Sequence, residues 1–145
     1  MDPALAVYLV SLTILVIILV GIAIRAFVNW QTPGARTLGT LILAMVVWAA
    51  AYFVEIVHPA LPVKIAAQKA LFFGMTMAPP FWLGFALRYT GIGAWWSQRG
   101  RVFLLAIPGV ITFVLGLTNE FHHLIWSSFS LSNTSPALLA IQYGI

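Results

Sequence analysis

Apolar residues run almost without interruption through four stretches of the chain. The first, Ala4 to Phe27, is rich in Leu, Ile and Val and meets no helix breaker before Gly21. The second, Leu38 to Val57, contains Glu55, and the third, Ile65 to Tyr89, contains Pro79-Pro80. The fourth, Val102 to Thr118, continues as an amphipathic tail to Trp126. A transmembrane helix needs about 20 mostly apolar residues, at about 1.5 Å each, to cross about 30 Å of hydrocarbon. Each stretch is therefore predicted to span a bilayer. The links are short: Asn29 to Arg36 around Thr32-Pro33-Gly34, His58 to Lys64 with Pro59 and Pro62, and Gly91 to Gly100 with Trp95-Trp96. Short links make successive helices antiparallel. The prediction is an all-α, polytopic transmembrane helical bundle of four spans, a single domain over residues 1–145. Ser127 to Pro136 reads as a polar loop, and the apolar Ala137 to Ile145 as the start of a fifth span that the chain ends before completing.

Composition agrees with this pattern. Only 7% of the 145 residues are charged and 62% are hydrophobic, with a mean hydropathy of +1.03. Soluble domains carry about 25% charged residues, so a soluble enzyme and a basic nucleic-acid binder are excluded. Cysteine is absent, which removes disulfides, thiolate nucleophiles and cysteine metal sites. The N-terminus lacks the cation and the short apolar core of a signal peptide.

The few charges give an orientation. Arg25, Arg36, Arg88, Arg99 and Arg101 fall at one end of the four spans, and Lys64 and Lys69 at the other. The positive-inside tendency places the arginine end in the cytoplasm and the N-terminus outside.

The candidate chemistry collects at the outer end. Trp48, Tyr52 and Glu55 share one helix face, as do Lys69, Phe73, Thr76 and Pro80, and, if the fourth helix runs on, Thr112, Gly116, Asn119, His123 and Trp126. A carboxylate inside a membrane helix costs roughly 2.5–3.5 kcal/mol at mid-bilayer and less near the boundary. Three outcomes stand for Glu55: interfacial water with Lys69 snorkelling to the headgroups, an ion pair with Lys69, or contact with a ligand. Pro79 and Pro80 deprive the carbonyls of Met75 and Thr76 of their helical donors, which gives a packing kink, a cavity or a hinge. Adjacent His122 and His123 point to different helix faces, so with Glu120 and His58 they are not expected to hold a metal. Asn133-Thr134-Ser135 fits a glycosylation sequon. No phosphate-binding loop, paired carboxylates or catalytic triad is found, and no cofactor is expected.

The ordered series Trp48-x-x-x-Tyr52-x-x-Glu55, Pro79-Pro80-x-Trp82-x-x-Phe85-Ala-Leu-Arg-Tyr89-Thr90-Gly91, Ile107-Pro108, Thr118-Asn119-Glu-Phe-His122-His123-Leu-Ile-Trp126 and Tyr143-Gly144 resembles the seven-helix N-terminal sensor region of bacterial histidine kinases. The resemblance covers about residues 37 to 145. It implies a multi-pass module of the bacterial inner membrane that precedes a cytoplasmic output domain and is not itself an enzyme. It also implies that Trp48, Glu55, Pro80, Phe85, Tyr89, Asn119, His122, His123 and Trp126 shape an outer-facing pocket. With the residues that share the helix faces above, the candidate ligand-contacting set is Trp48, Tyr52, Glu55, Lys69, Thr76, Asn119, His122, His123 and Trp126, with Pro79 and Pro80 as hinge or kink. Its partners would be the lipid bilayer, a small-molecule or lipid ligand and, in a kinase, a second copy of the chain; nucleic acid is not expected. Two other readings remain open. Small-residue stretches such as Ala49-Ala50-Ala51 suit a structural subunit of a larger membrane complex. The proline break suits a transporter or channel fragment, although no charge lies near the midplane.

Overall fold

Residues 3–91, 101–132 and 139–143 are described by a computed structural model. Trp95-Trp96, Arg99 and the sequon at Asn133 lie outside the described residues. The architecture is mostly helical: α1 Pro3–Val28, α2 Ala35–Val57, α3 Leu61–Thr90, α4 Arg101–Leu117 and a short α5 Asn119–His122, followed by strands β1 Trp126–Leu131 and β2 Leu139–Tyr143. The first three helices are long and apolar enough to cross a membrane, and Leu104–Leu117 forms a shorter apolar segment.

Each boundary has a local cause. Gly34 starts α2 at φ 83°, a left-handed conformation that glycine adopts without a Cβ penalty. Pro62 sits in the first turn of α3, where its missing N–H costs no helical bond. Gly91 at φ 66° closes α3. Several hydroxyls inside the helices are satisfied within their own helix: Ser11 donates to Val7 O at 2.9 Å, Thr13 to Leu9 O at 2.8 Å and Thr112 to Pro108 O at 2.9 Å. An apolar medium offers them no other acceptor. Thr37 Oγ1, by contrast, is buried without a partner among the described residues.

The central pair is α2 and α3, with α1 packed on α2 and α4 on α3. Small residues set these contacts. Ala44, Ala49, Ala51 and Ala67 are buried, as are Ala23 and Ala26 of α1, so the backbones approach closely. Leu19, Ala23 and Ile42 form the α1–α2 core, with Leu38, Met45 and Val46 against it. A Cβ on Gly74 would lie 2.6 Å from Trp48 Cβ and 2.7 Å from Ala44 O, so glycine sets the α2–α3 spacing.

Two expectations are corrected here. The fourth helix does not continue to Trp126: it stops at Leu117, and α5 ends where His123 turns to φ 52°. The bundle is also not all-α. Trp126–Leu131 and Leu139–Tyr143 pair as an antiparallel hairpin, with Leu131 opposite Leu139 and Trp126 opposite Tyr143, where a loop and the start of a fifth span were expected. The serines explain the change, since their hydroxyls bond across the strands. Ser127 Oγ donates to Gln142 O at 3.1 Å, and Ser128 Oγ to Gln142 Oε1 at 3.0 Å. In a helix interior such hydroxyls compete with the backbone.

Candidate functional site

The unusual polar residues meet where the lysine-bearing ends of α2 and α3 and the adjoining end of α4 touch the hairpin. Glu55, 5% exposed, lies in the last turn of α2. Its Oε1 is 3.8 Å from Lys64 Nζ and accepts the Leu139 backbone N–H of β2 at 2.9 Å. Lys64 is 1% exposed and also donates from Nζ to the Glu55 backbone carbonyl. One ion pair thus caps the C-terminal end of α2, joins α2 to α3, and holds a strand of the hairpin. A buried charge keeps its ionised form only with such partners.

The Glu55–Lys69 pair, one of the three outcomes open for Glu55, is not formed. The third helix begins at Leu61, not Ile65, so Lys64 is already in its first turn and reaches back to α2. Five residues on, Lys69 points about 140° further round the helix and donates to Glu120 Oε1 at 2.6 Å. That partner is 69% exposed. The hydrogen bond from Lys69, and then its charge, hold the Glu120 carboxyl below its ordinary value of 4.5.

A second buried group lies beside the first. Asn119, 3% exposed, accepts on Oδ1 from Ile125 N at 2.9 Å and Trp126 N at 3.0 Å, and donates from Nδ2 to Trp126 O at 2.7 Å. Trp126 is 1% exposed and meets Phe72 edge-on, with ring centroids 5.0 Å apart. Gly116 makes room for this contact, because a Cβ there would be 2.5 Å from the Phe72 ring. His122 turns back on its own segment, with Nε2 3.2 Å from Thr118 Oγ1 and Nδ1 accepting from Leu124 N at 3.1 Å. His123 is exposed. Among the described residues no three of His, Asp and Glu are grouped as a metal site would require.

Other candidates lie apart from this cluster. Trp48 and Tyr52 line a groove of about 430 Å³ between α1 and α2, together with Tyr8 and Met45. Thr76 donates to Phe72 O at 2.9 Å within α3. The helix runs unbroken through Pro79 and Pro80, and a cavity of about 410 Å³ opens beside them towards Pro108 and Thr112 of α4. The outer pocket implied for Phe85 and Tyr89 is also corrected. Both pack against Gly34 at the opposite, arginine-bearing end, with the Phe85 ring 3.3 Å from where a Gly34 Cβ would lie.

Four participants, Lys64, Phe72, Glu120 and Leu139, were not selected from the sequence. Lys64 was legible from Pro62, which marks the first turn of a helix and so places Lys64 inside α3. Leu139 contributes only a backbone N–H, which no side-chain pattern reveals.

The order of helices, the short links and the tryptophan-anchored segment after α4 agree with a single finding. A family model for the N-terminal 7TM region of histidine kinase matches residues 11–145. The chain belongs to this family. With its membrane-length helices, this histidine kinase 7TM region is a multi-pass membrane protein. No curated protein and no solved structure matches the chain.

Proposed function

We propose that this histidine kinase 7TM region is a signal-receiving input module. A ligand or a change of membrane state at the outer end displaces the hairpin, and the displacement biases helices α2 to α4 and passes to a cytoplasmic output domain. The observation that carries this reading is the buried Glu55–Lys64–Leu139 connection, because one carboxylate links two membrane helices to the hairpin. Asn119 fixes the other end of the hairpin to α5, just beyond α4. On this reading the module binds and relays and does no bond chemistry itself. It lies in the inner membrane of a bacterium with its N-terminus outside, and works as a homodimer. The Trp48–Tyr52 groove suits an apolar or lipid ligand, being walled by Tyr8, Leu12, Leu15 and Met45.

The test is Glu55→Gln in the full-length gene product, with kinase output measured against stimulus. The amide keeps an acceptor for Leu139 N–H but removes the charge facing Lys64. The expected result is a shift of roughly tenfold in half-maximal stimulus, within the usual range of allosteric coupling. An unchanged dose–response curve in a correctly inserted protein would remove the Glu55 connection from the mechanism.

A further inference from the structure

The arginine-bearing end holds a cleft that the signalling reading does not use. Trp30, Gln31, Thr32, Pro33 and Gly34 of the α1–α2 turn wall it on one side, Arg36 opens α2 on another, and Arg88 and Gly91 close it from the end of α3; its volume is about 550 Å³. The turn is held against α3 because Gly34, at φ 83°, packs on the Phe85 ring one turn before Arg88.

Charge at this end is one-sided. The acids of the described residues, Glu55 and Glu120, both lie at the other end and are taken by Lys64 and Lys69. Neither Arg36 nor Arg88 forms an ion pair among the described residues. Arg36 stacks its guanidinium carbon 4.2 Å from the centroid of the Trp30 ring. Stacking fixes the plane of the guanidinium and leaves its in-plane N–H groups free to donate. Arg88 Nε is buried without an acceptor among the described residues, a state that costs free energy until an acceptor arrives. The first turn of α2 adds backbone N–H groups that no side chain caps.

Two arginines, one with its plane fixed and one with a buried orphan donor, line a cleft that holds no protein anion among the described residues. The geometry points to a binding site for a phosphate group, held by the Arg36 and Arg88 guanidiniums in the manner of basic pockets between membrane helices. The phosphate belongs either to an anionic lipid headgroup or to a free phosphate anion in the adjoining water.

The experiment reconstitutes the full chain in nanodiscs of equal parts phosphatidylcholine and phosphatidylglycerol and counts retained lipids by native mass spectrometry. Wild type is expected to retain phosphatidylglycerol in preference to phosphatidylcholine, and Arg36→Gln/Arg88→Gln to lose that preference by roughly tenfold. Persistence of the preference in millimolar inorganic phosphate assigns the site to the lipid headgroup. If the preference is displaced, or if inorganic phosphate binds wild type in pure phosphatidylcholine discs and not the double variant, the site takes free phosphate. Wild type with neither a phosphatidylglycerol preference nor phosphate binding overturns the proposal, and so does equal retention in wild type and variant. Because the wild-type measurement alone can fail, a poorly folding variant does not rescue the idea. The readout is independent of kinase output, so it succeeds or fails separately from the Glu55 connection.

Discussion

Asn119 uses both ends of its amide. The backbone N–H groups of Ile125 and Trp126 donate to Oδ1, and Nδ2 donates to the Trp126 carbonyl. All three backbone groups belong to the segment leaving α5, which has no helix ladder to satisfy it. Replacing Asn119 with Ala orphans them together, at roughly 1–3 kcal/mol for a buried unsatisfied group. The expected outcome is a loss of about 2–3 kcal/mol in detergent unfolding, with Trp126 fluorescence shifting red as its cover opens. Glu120 gives a pH-dependent contrast. Its folded carboxyl is held below 4.5 by Lys69, so the stabilisation is complete above that ordinary value and is lost as pH falls through the lowered one. The difference in Tm between wild type and Glu120→Gln is therefore expected to be constant from neutrality down to the ordinary carboxylate value and to vanish in stronger acid. Asn119 and Trp126 were legible as candidates because polar and aromatic residues at a helix end stand out from an apolar chain. Their geometry was not legible, because a helical continuation and an asparagine-anchored strand share the same pattern over Asn119–Trp126.

At the scale of elements, the four long helices were legible to within four residues at each end, since about 20 apolar residues in a row leave few alternatives. What sequence alone did not reveal is how closely they approach. A Cβ on Gly74 would strike the α2 backbone at Ala44 O, and one on Gly109 would lie 2.6 Å from Thr76 O. The second contact resolves the proline break: Pro80 has no N–H for Thr76 O, and the hydrogen-only side of Gly109 faces that freed carbonyl. Gly74→Ala and Gly109→Ala are each expected to cost about 1–3 kcal/mol by forcing backbone apart. Gly21→Ala, with nothing within 4 Å, is expected to stay within about 0.5 kcal/mol of wild type. Unfolding titrations of the three variants in one detergent check the ranking. Near-equal losses at all three positions would refute the idea that helix approach sets the cost.

For the whole molecule, the distribution of charge and the number of crossings are one question. Helix α4 has 17 residues, about 26 Å of rise against about 30 Å of hydrocarbon, so it crosses only with local thinning or snorkelling flanks. The sequence contains no cysteine, so single cysteines report position without background. With four crossings and the N-terminus outside, Ala60→Cys and Leu124→Cys are expected to react with an impermeant maleimide on intact cells. Gln31→Cys is expected to react only after permeabilisation. Labelling of positions 60 and 124 from opposite sides would mean that α4 does not cross.

The Lys64–Glu55 closure also bears on how the chain enters the bilayer. With the N-terminus outside, both residues lie at the tip that α2 and α3 present as they insert, and that tip, Glu55 to Lys64, has a formal charge sum of zero with His58 neutral. A lone Glu or a lone Lys would each carry its own hydration into the translocation channel. Paired, they make the α2–α3 hairpin a cargo whose leading end is already neutralised. In that orientation, the contact that holds this end of the bundle together is expected also to lower the barrier to building it.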